Sequence, residues 1–496
     1  MITPSMAALL PGLIHAQPKD LEGTMTTTHL NAVSDLHDLP AVKLLALFAN
    51  KALSPLEYYE HLLDHIQRWE PYLHALFAFD PQRVREQALA STQRWSQGCP
   101  IGLLDGLPVT IKELIATQGD CIAMGCAATA QVPELFDAPP AARMREEGAI
   151  ILAKTTVPDF GMLSSGLSSL HGLTRNPWDL NSNPGGSSAG AAAAAAAGYG
   201  PLHIGTDIGG SVRLPAAWCG LVGFKPTLGR IPIDPYYTGR CAGPMTRTLD
   251  DCALMMRYLS RPDARDATSL PPLACDWGLA RQSVQGLKIG LMLDPGVGLK
   301  PCEQVLAAVR EAARVFEHHG ARVRDAAPVM NRALLTGLDH FWRARQWSQL
   351  QHLPAQHLDR VLPYIREWAE GAQALSAQQA IEGFNQTFEI RRRAAALFTE
   401  FDLLLMPTNQ VSAFPAYWAS PTNDPGQPFE HIAFTVPWNM GEQPALTLNC
   451  GFTAQGMPIG LQLVGPRFAD HWLLQVGKTY ENWRGPISNW PRLPSS

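Results

Sequence analysis

Three residues in this chain have the types and settings that nucleophilic catalysis needs: Lys112, Ser187 and Ser211. A serine hydroxyl is a poor nucleophile at neutral pH and needs a base. Lysine serves as that base only when uncharged, so its pKa must fall, and burial among apolar atoms lowers it. Lys112 closes the apolar run in DGLPVTIKEL, which reads as a buried strand. PGGSSAG (residues 184–190) lies 75 residues on, counted to Ser187, and leads into seven consecutive alanines. A second glycine–serine loop, GTDIGGSVRLPA (residues 205–216), places Ser211 24 residues after Ser187. Small residues ahead of a nucleophile let successive backbone N–H groups converge, which is how an oxyanion hole is built. Ser211 follows Ile208, Gly209 and Gly210 and is therefore the candidate nucleophile. Ser187, at the start of an alanine-rich helix, suits a proton relay between lysine and nucleophile.

Other motif readings fit less well. A phosphate-binding loop needs G-x-x-x-x-G-K-[ST], and neither loop has the lysine. Residues 186–190 match G-x-S-x-G with Ser188 at the centre, but a nucleophile elbow follows a buried strand. The preceding NPWDLNSNP is polar and broken by proline. The alanine run itself reads as close helix–sheet packing.

Flanking elements must position these residues. Residues 36–97 read as helical: Ser54, Pro55 and Glu57 form a capping box, with Leu56, Tyr59, Leu63 and Ile66 on one face. From residue 102 to about residue 232, short apolar runs (LPVTIK, AIILAKTT, PLHIGTDI, GLVGFKPT) alternate with Gly/Ser/Pro loops, as in an α/β sheet. LKIGLML, the amphipathic stretch 302–319 and ARVRDA read as one βαβ unit, expected to be right-handed. Residues 331–400 are helical, rich in Trp and Gln, and suit a cap over a site. FDLLLMPT and PALTLNCGF read as buried strands, and the chain from Trp483 as a surface tail.

Composition narrows the class. Charged residues are 17% of the 496, below the usual ~25%, which argues against disorder. The net charge of −5 is not that of a protein built to track a phosphate backbone, and RRR at 391–393 falls on a helix face. Nine scattered cysteines show no C-x-x-C and no zinc spacing, and read as buried reduced thiols in a cytoplasmic protein. No apolar stretch reaches a membrane span's length. Residues 1–30 read as a leader, with Met25 a second candidate start; Pro11 and the lack of a basic segment disfavour a secretory signal.

DGLPVTIKE, PGGSSAGAAAAAAAG and GTDIGGSVRLPAAWCGLVGFKPTLGRIP, at these separations, resemble the amidase signature family. The likeness continues through residues 243–256, 401–408 and 444–465. The resemblance implies one large α/β domain over residues 31–480, a mixed twisted sheet surrounded by helices. It includes N-terminal helices over 31–100 and a helical cap over 331–400, with a tail at 481–496. It implies a Ser-cisSer-Lys triad: Ser211 forms the acyl-enzyme, Ser187 follows a cis peptide from Gly186, and Lys112 is base and then acid. Ile208, Gly209, Gly210 and Ser211 are the implied oxyanion donors. Ser188, Asp207 and Arg213 would brace the loops, and TRNPWD (residues 174–179) would be structural. Gly161 and Met162 would edge the acyl pocket, Met162 reading equally as core.

The chain also departs from the family pattern. Ala189 replaces a glycine, a mild change. Leu167 stands where the A-type subunits of glutamine amidotransferases carry an acidic residue, which argues for a hydrophobic substrate. Glu442 and Gln443 occur in an altered stretch and either line the site or face solvent, the latter being preferred. The reading is hydrolysis of small hydrophobic or aryl amides, without metal or organic cofactor. The alternatives are a carbamate or ester hydrolase and an amidotransferase A-type subunit. The expected partners are the small-molecule amide and, as a homodimer, a second copy; nucleic acid and membrane are not expected.

Overall fold

The structure, a computed structural model, describes residues 36–493; the leader expected over residues 1–30 lies outside them. The chain opens with α1 (Ala41–Ala49), α2 (Pro55–Leu73), β1 (Leu76–Phe77) and α3 (Pro81–Gln97). α2 begins as its sequence dictates. Ser54 Oγ accepts the Glu57 N–H at 3.2 Å, and Glu57 takes the Ser54 N–H at 2.8 Å.

Strands and helices then alternate: β2 (Pro108–Lys112), α4 (Pro139–Glu146), β3 (Ile150–Thr155), β4 (Leu167–Ser168), β5 (Gly172–Leu173), α5 (Ala189–Ala197) and β6 (Leu202–Asp207). α6 (Arg213–Trp218), β7 (Val222–Lys225), β8 (Cys241–Thr246) and α7 (Leu249–Leu259) follow. The second half holds β9 (Lys288–Leu291), α8 (Glu303–His318), β10 (Arg322–Asp325), α9 (Arg332–Leu350), α10 (Pro363–Glu370) and α11 (Ala377–Leu397). It closes with β11 (Leu403–Pro407), α12 (Val436–Met440), β12 (Ala445–Phe452), β13 (Pro458–Val464) and α13 (Asp470–Arg484).

One mixed sheet of eleven strands organises these elements, in the order β1-β3-β2-β6-β8-β7-β12-β13-β11-β9-β10. β2 runs parallel to β3 and β6, and β9 parallel to β10 and β11; the other pairings are antiparallel. The βαβ unit read from residues 287–326 is therefore present, as β9-α8-β10. Every residue of β2, β3 and β6 is buried, as near-continuous apolar runs require in strands covered on both faces. All nine residues of α5 are buried as well. A Cβ on Gly190 would stand 2.3 Å from Ala75 O and 2.4 Å from Thr156 N, so only glycine permits this backbone approach.

Two expectations need adjustment. Residues 36–97 are not uniformly helical, because β1 pairs with β3 between α2 and α3. All nine cysteines are free thiols, but Cys99 is exposed and only Cys126, Cys219, Cys241 and Cys252 are fully buried. Arg391–Arg393 do lie on a helix, α11, and are paired there: Arg391 with Glu442, and Arg392 and Arg393 with Glu389. The tail past Arg484 has no regular element among the described residues and lays Trp490 against Trp178 and Arg247. No helix among the described residues is long and apolar enough to cross a membrane.

Candidate active site

β2 and β6 are parallel neighbours, with Ile111 opposite Ile204, so their carboxyl ends emerge on the same side of the sheet. Ligands of open α/β sheets bind beyond such ends. Lys112 is the last residue of β2 and Asp207 the last of β6. Lys112 is fully buried. Its Nζ lies 2.9 Å from Ser187 Oγ, 2.9 Å from Ser188 Oγ and 3.3 Å from Thr206 O. No carboxylate among the described residues is within ion-pair distance. Burial drives its pKa well below the usual lysine range, and the charge of Arg240 adds to the effect against the pull of Asp207 and Glu113. The Glu113 carboxylate is turned to the N–H groups of Met124 and Gly125, at 2.8 and 2.6 Å.

This geometry distinguishes the two adjacent serines. A neutral amine has two protons and one lone pair, while a carbonyl oxygen only accepts. Ser188 Oγ has Thr206 O within 3.3 Å as an acceptor for its own proton. Nζ can then donate to Ser188 Oγ and Thr206 O, leaving its lone pair for the Ser187 proton. Ser188 is fully buried and its N–H donates to Ser211 O at 3.2 Å, which ties the two loops together. No strand leads into it, as an elbow would require.

The Gly186–Ser187 peptide is cis. Asn183 holds the approach to it: Oδ1 accepts from the N–H groups of Gly166 and Gly185, and Nδ2 donates to Ser165 Oγ and Ala416 O. Asn176 donates to Trp218 O at 3.0 Å, and Trp178 Nε1 to Cys219 O at 2.9 Å, so TRNPWD is scaffold.

Asp207 shapes the loop that carries Ser211. Its carboxylate accepts the N–H groups of Gly210 at 2.8 Å and Val212 at 3.0 Å. It forms a buried two-point pair with Arg213, through Nε at 3.0 Å and Nη2 at 2.8 Å. Burial alone would raise the Asp207 pKa; Arg213 and then Asn439 overcome this and hold it well below the usual carboxylate range. One consequence corrects the sequence expectation. Gly210 gives its N–H to Asp207, so it is not a free oxyanion donor. The N–H groups of Ile208, Gly209 and Ser211 meet no protein acceptor among the described residues. Gly210 has φ +130°, and a Cβ there would lie 2.5 Å from Thr435 Oγ1.

Ser187, Ser211, Ile208, Gly161 and Met162 share the wall of one cavity of about 240 Å³. Leu114, Ile122, Met124 and Phe160 make it apolar, while Arg240 and, from α9, Arg345 and Gln349 complete it. A narrow recess beside Ser211 adds Trp342 and His431. A Cβ on Gly161 would stand 3.5 Å from Ser187 Oγ, and one on Gly209 3.2 Å from the Trp342 ring. Of the 331–400 segment, α9 thus lies beside the serine loops through Trp342, Arg345 and Gln349. Both His431 ring nitrogens lack a protein partner among the described residues, and burial lowers its pKa to about 3.

The amidase family model matches residues 57–474. The chain belongs to the amidase signature family. It is 34% identical to the A-type subunit of a glutamyl-tRNA(Gln) amidotransferase from Roseiflexus castenholzii, over 93% of this chain and 98% of that one. It is 32% identical to an acylamidase from Rhodococcus erythropolis, covering 90% and 96%. Among solved structures it superposes on a bacterial aryl acylamidase of the amidase signature enzymes with a TM-score of 0.82 and 28% identity, covering 92% and 98%.

Against this amidase scaffold two expectations fail. Leu167 is half-buried in β4 and does not line the cavity, so it carries no argument for an apolar substrate; that argument rests instead on Leu114, Ile122, Met124 and Phe160. Glu442 and Gln443 do not face solvent. Both are buried, and Glu442 bridges Arg391 at 2.6 Å and Arg467 at 2.7 Å. Arg240, Arg345, Gln349, Trp342 and His431 escaped the sequence reading. They sit in stretches such as PYYTGR and WRARQWSQL that match no motif, and only the fold brings them to the serines.

Proposed function

We propose that this amidase hydrolyses the C–N bond of small amides through an acyl-enzyme on Ser211. The observation that carries the reading is the buried Lys112 amine, without a carboxylate partner among the described residues, 2.9 Å from Ser187 Oγ. Ser211 Oγ attacks the amide carbonyl; its proton passes to Ser187, whose own proton passes to Lys112. The N–H groups of Ile208, Gly209 and Ser211 take the developing oxyanion, each such donor being worth about 10²–10³ in rate. Lys112 then returns a proton through Ser187 to the leaving nitrogen. Water repeats the sequence on the acyl-enzyme and frees the acid and Ser211. Carbamates and esters would follow the same path. The apolar wall favours acyl or amine groups with hydrocarbon bulk.

A second reading, a glutamine-dependent amidotransferase component, draws on the 34% identical relative. Glutamine carries an ammonium group, and no Asp or Glu of the described residues lines the cavity beside Ser211 to receive it. The test is kcat/KM of the purified chain alone for an N-aryl amide and for glutamine. Preference for the aryl amide by at least about a hundredfold (about 2.7 kcal/mol) is expected. Preference for glutamine would overturn the reading.

A further inference from the structure

Two guanidinium groups share the cavity with Ser187 and Ser211, and neither has a counter-ion among the described residues. Arg240 Nη1 donates to Pro235 O at 2.6 Å and Nη2 to Leu114 O at 3.2 Å, leaving the rest of its five N–H donors without acceptors there. Arg345, on α9, donates to no acceptor among the described residues; its guanidinium lies 4.0 Å over the Tyr237 ring. No carboxylate of the described residues lies within 4.0 Å of either group, and Asp234 acts on Arg240 only from farther away. Both arginines are half-buried. Burial and then the charge of Arg345 push the Arg240 pKa down to about 10, which puts the two positive groups within reach of one another's field.

Partly desolvated charges are normally paired, because an unpaired one loses hydration without compensation. Two like charges on residues lining one cavity, with N–H donors left over after the bonds to Pro235 O and Leu114 O, suit a carboxylate. Glutamine is a poor candidate for the reason already given. We infer that Arg240 and Arg345 form an anion subsite, and that the amide cleaved at Ser211 ends in a carboxylate without a neighbouring ammonium. The inference rests on the proposed function and adds the substrate's charge. Arg240 and Arg345 are then specificity-determining residues, and the apolar wall spans the hydrocarbon between the amide and the carboxylate.

The test uses two pairs of anilides and reads release of the arylamine. In one pair the carboxylate ends the acyl limb, in the other it is on the aryl ring; each partner has a methyl ketone in place of the carboxylate. The full chain should prefer the acid in at least one pair by about tenfold or more in kcat/KM, mostly through KM, as a charge-assisted hydrogen bond predicts. Arg345→Gln should bring that ratio toward one, and Arg345→Lys should keep part of it. Because the reading is a ratio within one protein sample, general loss of active enzyme does not imitate it. Equal turnover of acid and ketone in both pairs, or an unchanged ratio in Arg345→Gln, would overturn the inference and leave the proposed function standing. Failure to release arylamine from any of the four would instead contradict the proposed function.

Discussion

In the proposed mechanism Ser187 relays a proton only while Lys112 is neutral, and burial together with the nearby charge of Arg240 favours the neutral amine. The sign follows directly. Below its lowered pKa Lys112 carries a proton and cannot accept another, so the rate on an uncharged anilide should fall on the acid side. Arg240→Gln removes a positive charge, lets the Lys112 pKa rise, and should move that acid limb to higher pH. A profile flat from acid to alkaline pH would exclude a lysine base. Lys112→Met keeps the hydrocarbon and deletes the amine. Its kcat should fall by about 10²–10⁴, the usual contribution of general acid–base catalysis, while circular dichroism and thermal melting report an intact fold. Retention of most activity would assign the base elsewhere, with His431, which lines the recess beside Ser211, the first group to substitute.

At the scale of elements, the loop at 208–211 is held by a buried bracket. Arg213 at the start of α6 reaches Asp207 at the end of β6, Asn439 Oδ1 of α12 at 2.6 Å and Gln462 Oε1 of β13 at 2.7 Å. Asn439 Nδ2 returns to Asp207 Oδ1 at 2.8 Å. Every member is buried, so each polar atom depends on its protein partner. Arg213→Met would leave the Asp207 carboxylate without its cation. Breaking a buried pair in this way costs about 3–5 kcal/mol, and urea unfolding should show a midpoint lowered to match. A loss under about 1 kcal/mol would mean that the backbone N–H groups alone satisfy Asp207. The same elements mark the limit of reading sequence. GTDIGGS advertises a tight loop, and the seven alanines advertise close packing on the sheet. That Gly210's N–H is already taken by Asp207 depends on the rotamer of one carboxylate, which no spacing encodes.

Across the whole molecule, one sheet joins both halves of the chain, and the site lies where its parallel portion ends beneath α9. Most strands were legible because both faces of the sheet are covered, so that runs such as AIILAKTT and FDLLLMPT place apolar residues at successive positions instead of alternating them with polar ones. The clustering of Lys112, Ser187 and Ser211 was legible because glycine-rich loops and a charged residue closing an apolar strand are unusual locally. Leu167 misled for the opposite reason: its position in a familiar stretch suggested contact with substrate, and the path of β4 carries it off the cavity wall. Glu442 misled because an acidic residue in a loop normally faces water; here two arginines from distant segments, Arg391 and Arg467, meet it indoors. Arg240 and Arg345 are 105 residues apart and converge only through tertiary packing.

The central claim is that Ser211, and neither Ser187 nor Ser188, becomes acylated. It is tested most directly by quenching the enzyme during turnover of an activated aryl ester or anilide and locating the acyl adduct by intact mass and peptide mapping. The account predicts one acyl group on Ser211, absent from Ser211→Ala. An adduct on Ser188 or Ser187, or full turnover by Ser211→Ala, would contradict it.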